Sequence, residues 1–196
     1  PVMQISCRDR NKIALQSDIL GANALGIKNI LCITGDSVKA GDQQNTKAVH
    51  EFESVKLLKQ IQSFNNGIDP TFELLSDNKT EIFAGAAADP SYKNLKVLKM
   101  RTERKKEAGA GFIQTQMIMD KKYLINFCDE ISKPLNLPVL AGVFFLKSYK
   151  NALFINKNVP GANIPENILK RLKESDNPIE EGINIAAEQL REFIDI

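Results

Sequence analysis

Five short apolar runs alternate along the sequence with longer segments whose apolar residues recur at helical spacing, and this alternation constrains the fold most. Strands are predicted over Val2–Cys7, Asn29–Ile33, Glu81–Ala88, Phe112–Gln116 and Pro138–Val143. Helices are predicted from Lys12 to a stop at Gly26, and over Val49–Phe64, Leu95–Ala108, Lys121–Leu135, Ser148–Asn156, Pro165–Lys173 and Pro178–Asp195. Strands that are apolar on both faces and are followed by amphipathic helices indicate a parallel sheet with helices outside.

Two architectures fit this alternation, an open doubly wound sheet and a (β/α)8 barrel. No G-x-G-x-x-G motif follows the first strand, so the dinucleotide-binding form of the open sheet lacks its phosphate loop. Five strand–helix units are also too few to close a barrel of eight strands. The residues therefore leave two possibilities, an open sheet or part of a barrel.

The composition is that of an ordinary globular protein and excludes several classes. Lys and Arg total 26 against 24 Asp and Glu, a net charge of +2, which argues against a nucleic-acid binder or a polybasic membrane face. The longest apolar stretch, residues 137–146, is shorter than the roughly 18 to 20 residues that span a bilayer. Three distant cysteines and no signal-peptide pattern predict a cytoplasmic protein, and the single histidine predicts no metal site.

Polar residues follow each predicted strand, where the chemistry of parallel α/β folds gathers. The second strand ends in Thr34-Gly35-Asp36, which is either a plain turn or a binding turn. Gln116 lies on an otherwise apolar strand, and a buried amide needs partners from a ligand or from neighbouring backbone. Five cationic residues cluster on the third predicted helix: Lys99, Arg101, Arg104, Lys105 and Lys106. They indicate either a face of the helix exposed to solvent or a binding site for phosphate.

An ordered set of motifs carries a resemblance through nearly the whole chain. The motifs are CRDRN at 7–11, LGANALGIKNILCITGD at 20–36, GAAADP at 85–90, KEAGAGFIQTQ at 106–116, PVLAGVFFLKSYKNALFI at 138–155 and VPGANIP at 159–165. In this order they resemble the flavin-dependent methylenetetrahydrofolate reductases. The resemblance implies a (β/α)8 TIM barrel, of which residues 1–196 form a single partial catalytic domain. On this reading the chain covers roughly strands three to seven and lacks the first two strands and the last.

The resemblance also implies an activity in one-carbon metabolism and methionine biosynthesis. The expected reaction reduces 5,10-methylenetetrahydrofolate to 5-methyltetrahydrofolate, with hydride passing from NADH, NADPH or another donor through flavin N5. The expected cofactor is FAD, with FMN as the alternative. The expected assembly is a homo-oligomer or a hetero-oligomer with a partner subunit. In the family, the glutamate that acts as the catalytic acid lies on the first strand. The resemblance therefore assigns no catalytic residue to this chain.

Site residues are carried over by position. The folate is expected to contact Asp36, Gln116 and Asn151. The flavin is expected to contact Gln4, Thr34, Gly35, Asp36, His50, Glu51, Gly85, Asp89, Arg101, Arg104 and Lys105. Three positions depart from the common pattern: Gln4 replaces His, Asp89 replaces Asn or His, and Phe145 replaces Pro. These departures leave FMN open, because an acid beside a pyrophosphate is repulsive unless it is paired.

Two other functions remain open on the sequence. The first is a non-catalytic barrel relative that binds flavin or folate as a partner subunit, and the second is a generic parallel α/β binding domain. A sheet of five strands that does not close into a barrel also leaves two edge strands unpaired. We therefore expect these residues alone to be poorly soluble or to depend on a partner.

Overall fold

The computed structural model describes residues 1–69, 79–159 and 161–196, so Pro160 of the VPGANIP motif lies outside the described residues. The strands are β1 (Met3–Ser6), β2 (Asn29–Ile33), β3 (Phe83–Ala88), β4 (Phe112–Met117) and β5 (Val139–Gly142). The helices are α1 (Lys12–Ala24), α2 (Ser54–Asn65), α3 (Leu95–Glu107), α4 (Lys121–Phe127), α5 (Tyr149–Asn158), α6 (Glu166–Glu174) and α7 (Pro178–Ile194). A 3₁₀ turn at Val38–Ala40 and a π-helical turn at Cys128–Ser132 complete the elements.

The strand–helix order predicted from the sequence is confirmed, and β2 has the predicted bounds. The predicted start of the second helix at Val49 is wrong, because α2 begins at Ser54. His50 has a φ of 44°, which no right-handed helix accommodates. The Val49 N–H donates instead to the Arg8 carbonyl oxygen at 2.8 Å, so this segment belongs to the loop.

The strands form a five-stranded sheet in chain order, with β1 and β5 at its edges. β1 pairs parallel with β2, and β2 pairs parallel with β3. Ser6 lies opposite Ile33 in the first pair, so the residues after these two strands leave the sheet side by side. A parallel five-stranded α/β sheet is therefore established. Among the described residues, no helix combines the length and the apolarity needed to cross a membrane.

The chain divides into two compact units, the first being Pro1–Ala87 with Met100–Ile113. Its core is built from apolar side chains of the strands and of α1 and α2, among them Ile5, Leu15, Ile19, Ile30, Leu57 and Ile61. The Phe83 and Phe112 rings pack with their centroids 5.3 Å apart. A Cβ on Gly85 would collide with the Phe112 ring, so this glycine admits the aromatic pair.

The second unit is Ala88–Lys99 with Gln114–Ile196. Its core includes Leu146, Ile155, Ile164, Leu172 and Ile185, contributed by α5, α6, α7 and the loops that precede α5 and α6. The Gly142 N–H donates to the Thr115 hydroxyl at 2.8 Å, and the Ile118 N–H donates to the Gly142 carbonyl at 2.9 Å. A side-chain oxygen therefore accepts a bond between the two strands.

One arginine joins α6 to α7 in this unit. The Arg171 guanidinium donates to Glu181 at 2.6 Å and to both carboxylate oxygens of Glu188, at 2.6 and 2.9 Å. These hydrogen bonds hold the pKa of Glu188 below its ordinary value of 4.5. Because that pKa is depressed in the folded state, the pair stabilises the protein at neutral pH and loses this effect as the pH falls.

We expect Arg171→Met to lower the free energy of unfolding at pH 7 by about 1 kcal/mol, since the pair is partly exposed and screened by solvent. The difference from the unaltered protein should shrink as the pH falls below the ordinary glutamate pKa of 4.5 and Glu188 takes up a proton. Denaturant unfolding at several pH values measures both effects. Lys170→Met is the matched control, because Lys170 pairs with Glu174 at 3.8 Å with both side chains about two-thirds exposed. An equal effect of both changes would contradict the assignment.

Candidate functional site

The carboxyl ends of β1 and β2 meet at a turn that requires glycine. Gly35 has a φ of 91°, in the left-handed region. A Cβ at this position would collide with the Ser6 hydroxyl and would lie 2.8 Å from the Arg8 Cβ. The absence of a side chain therefore lets the β2 end lie directly against the β1 end. Asp36 follows in this turn with its side chain exposed.

Charged side chains surround this turn. Arg8 donates from Nε and Nη2 to the two carboxylate oxygens of Asp9, at 2.7 and 2.9 Å. This hydrogen bonding raises the pKa of the Arg8 guanidinium, and the nearby charge of Asp36 acts in the same direction. The same pair lowers the pKa of Asp9, with smaller contributions from Arg10 and His50. The structure thus brings the predicted Asp36 and His50 to a patch that also contains Arg8 and Asp9.

The loop that carries His50 and Glu51 is tied to the same strand end. The Val49 N–H bonds to the Arg8 carbonyl, and the Glu51 carboxylate accepts from the Lys12 N–H at 2.8 Å. Lys12 is the first residue of α1, so Glu51 satisfies a backbone donor that the helix leaves open. A negative charge is also favourable at this end of the helix dipole. Glu51 therefore has a structural contact in addition to its predicted role.

The remaining strand residues of the first unit have different surroundings. The Thr34 hydroxyl accepts from the Ser54 N–H at 3.2 Å and lies 3.3 Å from the Ser54 hydroxyl, at the start of α2. Gln4 is exposed on β1, whereas Gly85 is buried on β3 against Phe112. Cys7 is fully buried, and burial raises its pKa to about 11, so its thiol is a poor nucleophile.

The Lys105 side chain on α3 reaches the end of β3. Its Nζ donates to the Ala87 carbonyl at 2.7 Å. Burial lowers the pKa of Lys105, and the charge of Arg101 lowers it further, whereas Glu53 acts in the opposite direction. Arg104 lies one residue before and approaches Glu53 at 3.9 Å, with both side chains more than half exposed.

This cation set fits an anionic cofactor group. Arg101, Arg104 and Lys105 bring three positive charges onto one helix, and the Glu53 carboxylate lies near Arg104 and Lys105. A desolvated ammonium gains most from an anion, and phosphate is the group that Arg and Lys side chains bind best. The residues are thus suited to the phosphates of a flavin nucleotide.

Three predicted residues belong to the second unit. Asp89 Oδ1 accepts from the Ser91 N–H at 2.9 Å and from its hydroxyl at 2.6 Å, as in an Asx turn. Gln116 Oε1 accepts from the Met117 N–H at 3.0 Å, the bond to neighbouring backbone that the sequence left open. Asn151 Oδ1 accepts from the Lys147 N–H at 3.3 Å at the start of α5. All three side chains have local backbone contacts.

Sequence reasoning did not select Arg8 or Ser54 as site residues. Arg8 follows β1 directly in the CRDRN motif, so its position at a strand end was the available signal. Ser54 gave no signal, because its hydrogen bonds to Thr34 depend on where α2 begins. Within the part of the chain that the structure describes, no group of three or more His, Cys, Asp or Glu side chains could hold a metal ion.

Comparison with known proteins agrees with the sequence motifs. Residues 1–195 match the sequence model of the family described as methylenetetrahydrofolate reductase. Methylenetetrahydrofolate reductase 1 of Schizosaccharomyces pombe is 25% identical over 206 residues, covering 98% of this chain and 31% of the relative. A probable methylenetetrahydrofolate reductase (NADPH) of Caenorhabditis elegans is 25% identical over 203 residues, covering 99% of this chain and 28% of the relative. The chain thus spans about a third of the length of these relatives.

A solved structure supports the fold. It belongs to a protein of Clostridium thermocellum described as uncharacterised and as binding two copies of 5-methyl-5,6,7,8-tetrahydrofolic acid. The TM-score is 0.50 at 13% identity, with 99% of this chain and 82% of that chain covered. Because the family match extends over residues 1–195, the chain belongs to the methylenetetrahydrofolate reductase family.

Proposed function

We propose that this chain is the part of a flavin-dependent methylenetetrahydrofolate reductase that carries residues for folate and for the flavin phosphates. The observation that carries the proposal is Asp36, which is exposed at the carboxyl end of β2 in a turn that Gly35 alone permits. The proposed reaction gives 5-methyltetrahydrofolate from 5,10-methylenetetrahydrofolate, with NADH or NADPH as donor. The methylated folate bound by the Clostridium thermocellum protein belongs to the same substrate class and supports this choice.

Asp36 is proposed to recognise the folate ring. A carboxylate accepts two hydrogen bonds in parallel, and the amino-pyrimidine part of folate offers two adjacent N–H donors. Gln116 and Asn151 are proposed as further folate contacts, each through amide atoms besides the oxygens that accept the backbone N–H groups described above. These two residues rest on the family resemblance.

Lys105, Arg104 and Arg101 are proposed to hold the phosphates of the flavin. A bound flavin supplies hydride transfer between the nicotinamide and the folate. The other proposed contacts are Gln4, Thr34, Gly35, His50, Glu51, Gly85 and Asp89. FAD is the proposed form, and FMN remains the alternative because Asp89 adds a negative charge. The proposed architecture is the third to seventh strands of a (β/α)8 barrel, and we assign no catalytic acid to this chain.

The absorbance spectrum of the purified full-length protein tests this proposal, together with identification of the released cofactor. We expect a flavin spectrum and flavin-dependent oxidation of 5-methyltetrahydrofolate. Lys105→Met should weaken flavin retention about tenfold, since a hydrogen bond to a charged group is worth about 1.5 kcal/mol or more. Lys106→Met is the matched control, because Lys106 is an exposed neighbour on the same helix. A protein with neither flavin nor turnover would refute the reductase.

A non-catalytic relative that binds flavin or folate is the second candidate. The departures at Gln4, Asp89 and Phe145 from the family pattern favour it, and the resemblance places Gln4 and Asp89 near the cofactor. This candidate predicts ligand binding without turnover in the full-length protein. Measurable turnover by the isolated protein would exclude it, whereas a requirement for an added subunit would support it.

A further inference from the structure

Arg8 is a charged residue in register with Gly35, and neither the proposed folate contacts nor the proposed flavin contacts include it. Ser6 pairs with Ile33, so Arg8 and Gly35 lie two residues beyond the same pairing on neighbouring strands. The Arg8 Cβ is the atom that a side chain on Gly35 would meet at 2.8 Å. The aliphatic part of the Arg8 side chain therefore packs against the turn that contains Asp36.

Backbone contacts fix the position of Arg8. Its N–H donates to the Ser6 hydroxyl at 3.2 Å, and its carbonyl accepts from Val49 at 2.8 Å. The two bonds to Asp9 then orient the guanidinium as a planar fork. A guanidinium has five N–H donors, and among the described residues this fork uses two, which leaves three donors for another acceptor. The side chain keeps 30% of its surface exposed, so a ligand can reach part of it.

Two complementary groups therefore extend from adjacent positions of these strand ends, the Asp36 carboxylate that accepts and the Arg8 guanidinium that donates. The Arg8 Cβ lies against Gly35, the residue before Asp36, and the charge of Asp36 contributes to raising the pKa of Arg8. The edge of a 2-amino-4-oxopyrimidine ring carries, in order, an amine donor, a ring N–H donor and a carbonyl acceptor. A carboxylate satisfies the two donors, and a neighbouring guanidinium satisfies the carbonyl.

We propose that Arg8 determines the specificity of this site by donating to the 4-oxo group of the pterin while Asp36 accepts from the adjacent N–H groups. This inference rests on the proposed folate site. The inference narrows the expected ligands from folate-like molecules in general to those whose pterin ring carries an oxygen at position 4. A 2,4-diamino ring presents an amine donor in place of the carbonyl, facing the Arg8 donors, and its N3 carries no hydrogen for Asp36 to accept; only the first difference depends on Arg8.

The test compares the binding of two probes, folic acid and 4-amino-4-deoxyfolic acid, to the full-length protein by titration calorimetry. The unaltered protein should bind folic acid more tightly. Arg8→Met keeps the stem against Gly35 and removes the donors, so it should weaken folic acid binding by about tenfold to a hundredfold. Binding of the 4-amino compound should stay the same or improve. The ratio of the two dissociation constants is the measured quantity.

Arg10→Met is the matched control on the same loop, because Arg10 is about half exposed and pairs with Asp18 at 2.6 Å. It should leave the ratio unchanged. Arg8→Lys retains a charge on a flexible stem and should give an intermediate ratio, which keeps the test available if Arg8→Met unfolds. An unchanged ratio in Arg8→Met and Arg8→Lys, with folic acid still bound, overturns the role of Arg8 alone. Failure of the unaltered protein to bind either probe overturns the folate site itself.

Discussion

Replacing Asp36 by asparagine is expected to lower kcat/KM for the folate substrate by about a hundredfold in the full-length protein. The proposed site uses both carboxylate oxygens as acceptors for ring N–H groups. Asparagine keeps the size of the side chain but replaces one acceptor with an NH2 donor, which faces the ring N–H. Losing one charge-assisted bond and opposing a second donor costs about 3 kcal/mol, which corresponds to about two orders of magnitude.

Asp42→Asn provides the control for this change, because Asp42 is an exposed aspartate of the same loop. Its expected effect on kcat/KM is less than about twofold, as for most exposed surface substitutions. Steady-state kinetics of the oxidation of 5-methyltetrahydrofolate measures kcat/KM for both variants. The flavin spectrum of each variant shows whether the cofactor is retained. Equal kinetics for Asp36→Asn and the unaltered protein would remove Asp36 from the folate site.

The largest expected loss of stability follows from a single methyl group on α7. Gly182 is buried, and a Cβ there would collide with the Leu146 carbonyl oxygen and would lie 3.0 Å from its carbon. A side chain can relieve such a collision by changing its rotamer, but a backbone carbonyl cannot, so the helix or the Leu146 loop must shift. We expect Gly182→Ala to destabilise the protein by about 2 to 3 kcal/mol, the usual range for overpacking, despite the higher helix propensity of alanine.

The same substitution at Gly21 tests this explanation. Gly21 lies inside α1, is exposed, and would place its Cβ with nothing within 4 Å. Gly21→Ala should therefore stabilise the protein by about 0.5 to 1 kcal/mol through helix propensity alone. Denaturant unfolding of the two variants should show changes of opposite sign. Two changes of the same sign would mean that the contact at Leu146 does not limit the packing of α7.

The order of strands and helices could be predicted because apolar spacing reports the secondary structure directly. β2 is a run of apolar residues closed by Thr34-Gly35-Asp36, and its bounds agree with the prediction. The start of α2 could not be predicted, because the apolar pattern continues upstream to Val49. A hydrogen bond to Arg8, 41 residues earlier in the chain, holds that segment in the loop. Spacing within a segment contains no information about such a distant partner.

Site residues could be predicted as positions but not as contacts. Asp36 is predicted because it follows a strand, and it is exposed at that strand end. Gly85 is predicted through the resemblance, yet the Phe112 ring also explains the glycine. Arg8 is missed because its position at a strand end does not reveal the contact with Gly35, which forms only when β1 and β2 pair.

The single hydrogen bond between Val49 and Arg8 also makes one amide a reporter of loop opening. The Val49 N–H exchanges with deuterium only while it is away from the Arg8 carbonyl, so its exchange rate measures the equilibrium between the attached and detached loop. The Lys12 N–H, held by Glu51, reports on the other end of the attachment. A ligand that binds only the attached form slows both amides by the same factor, and that factor gives its affinity without an assay of turnover.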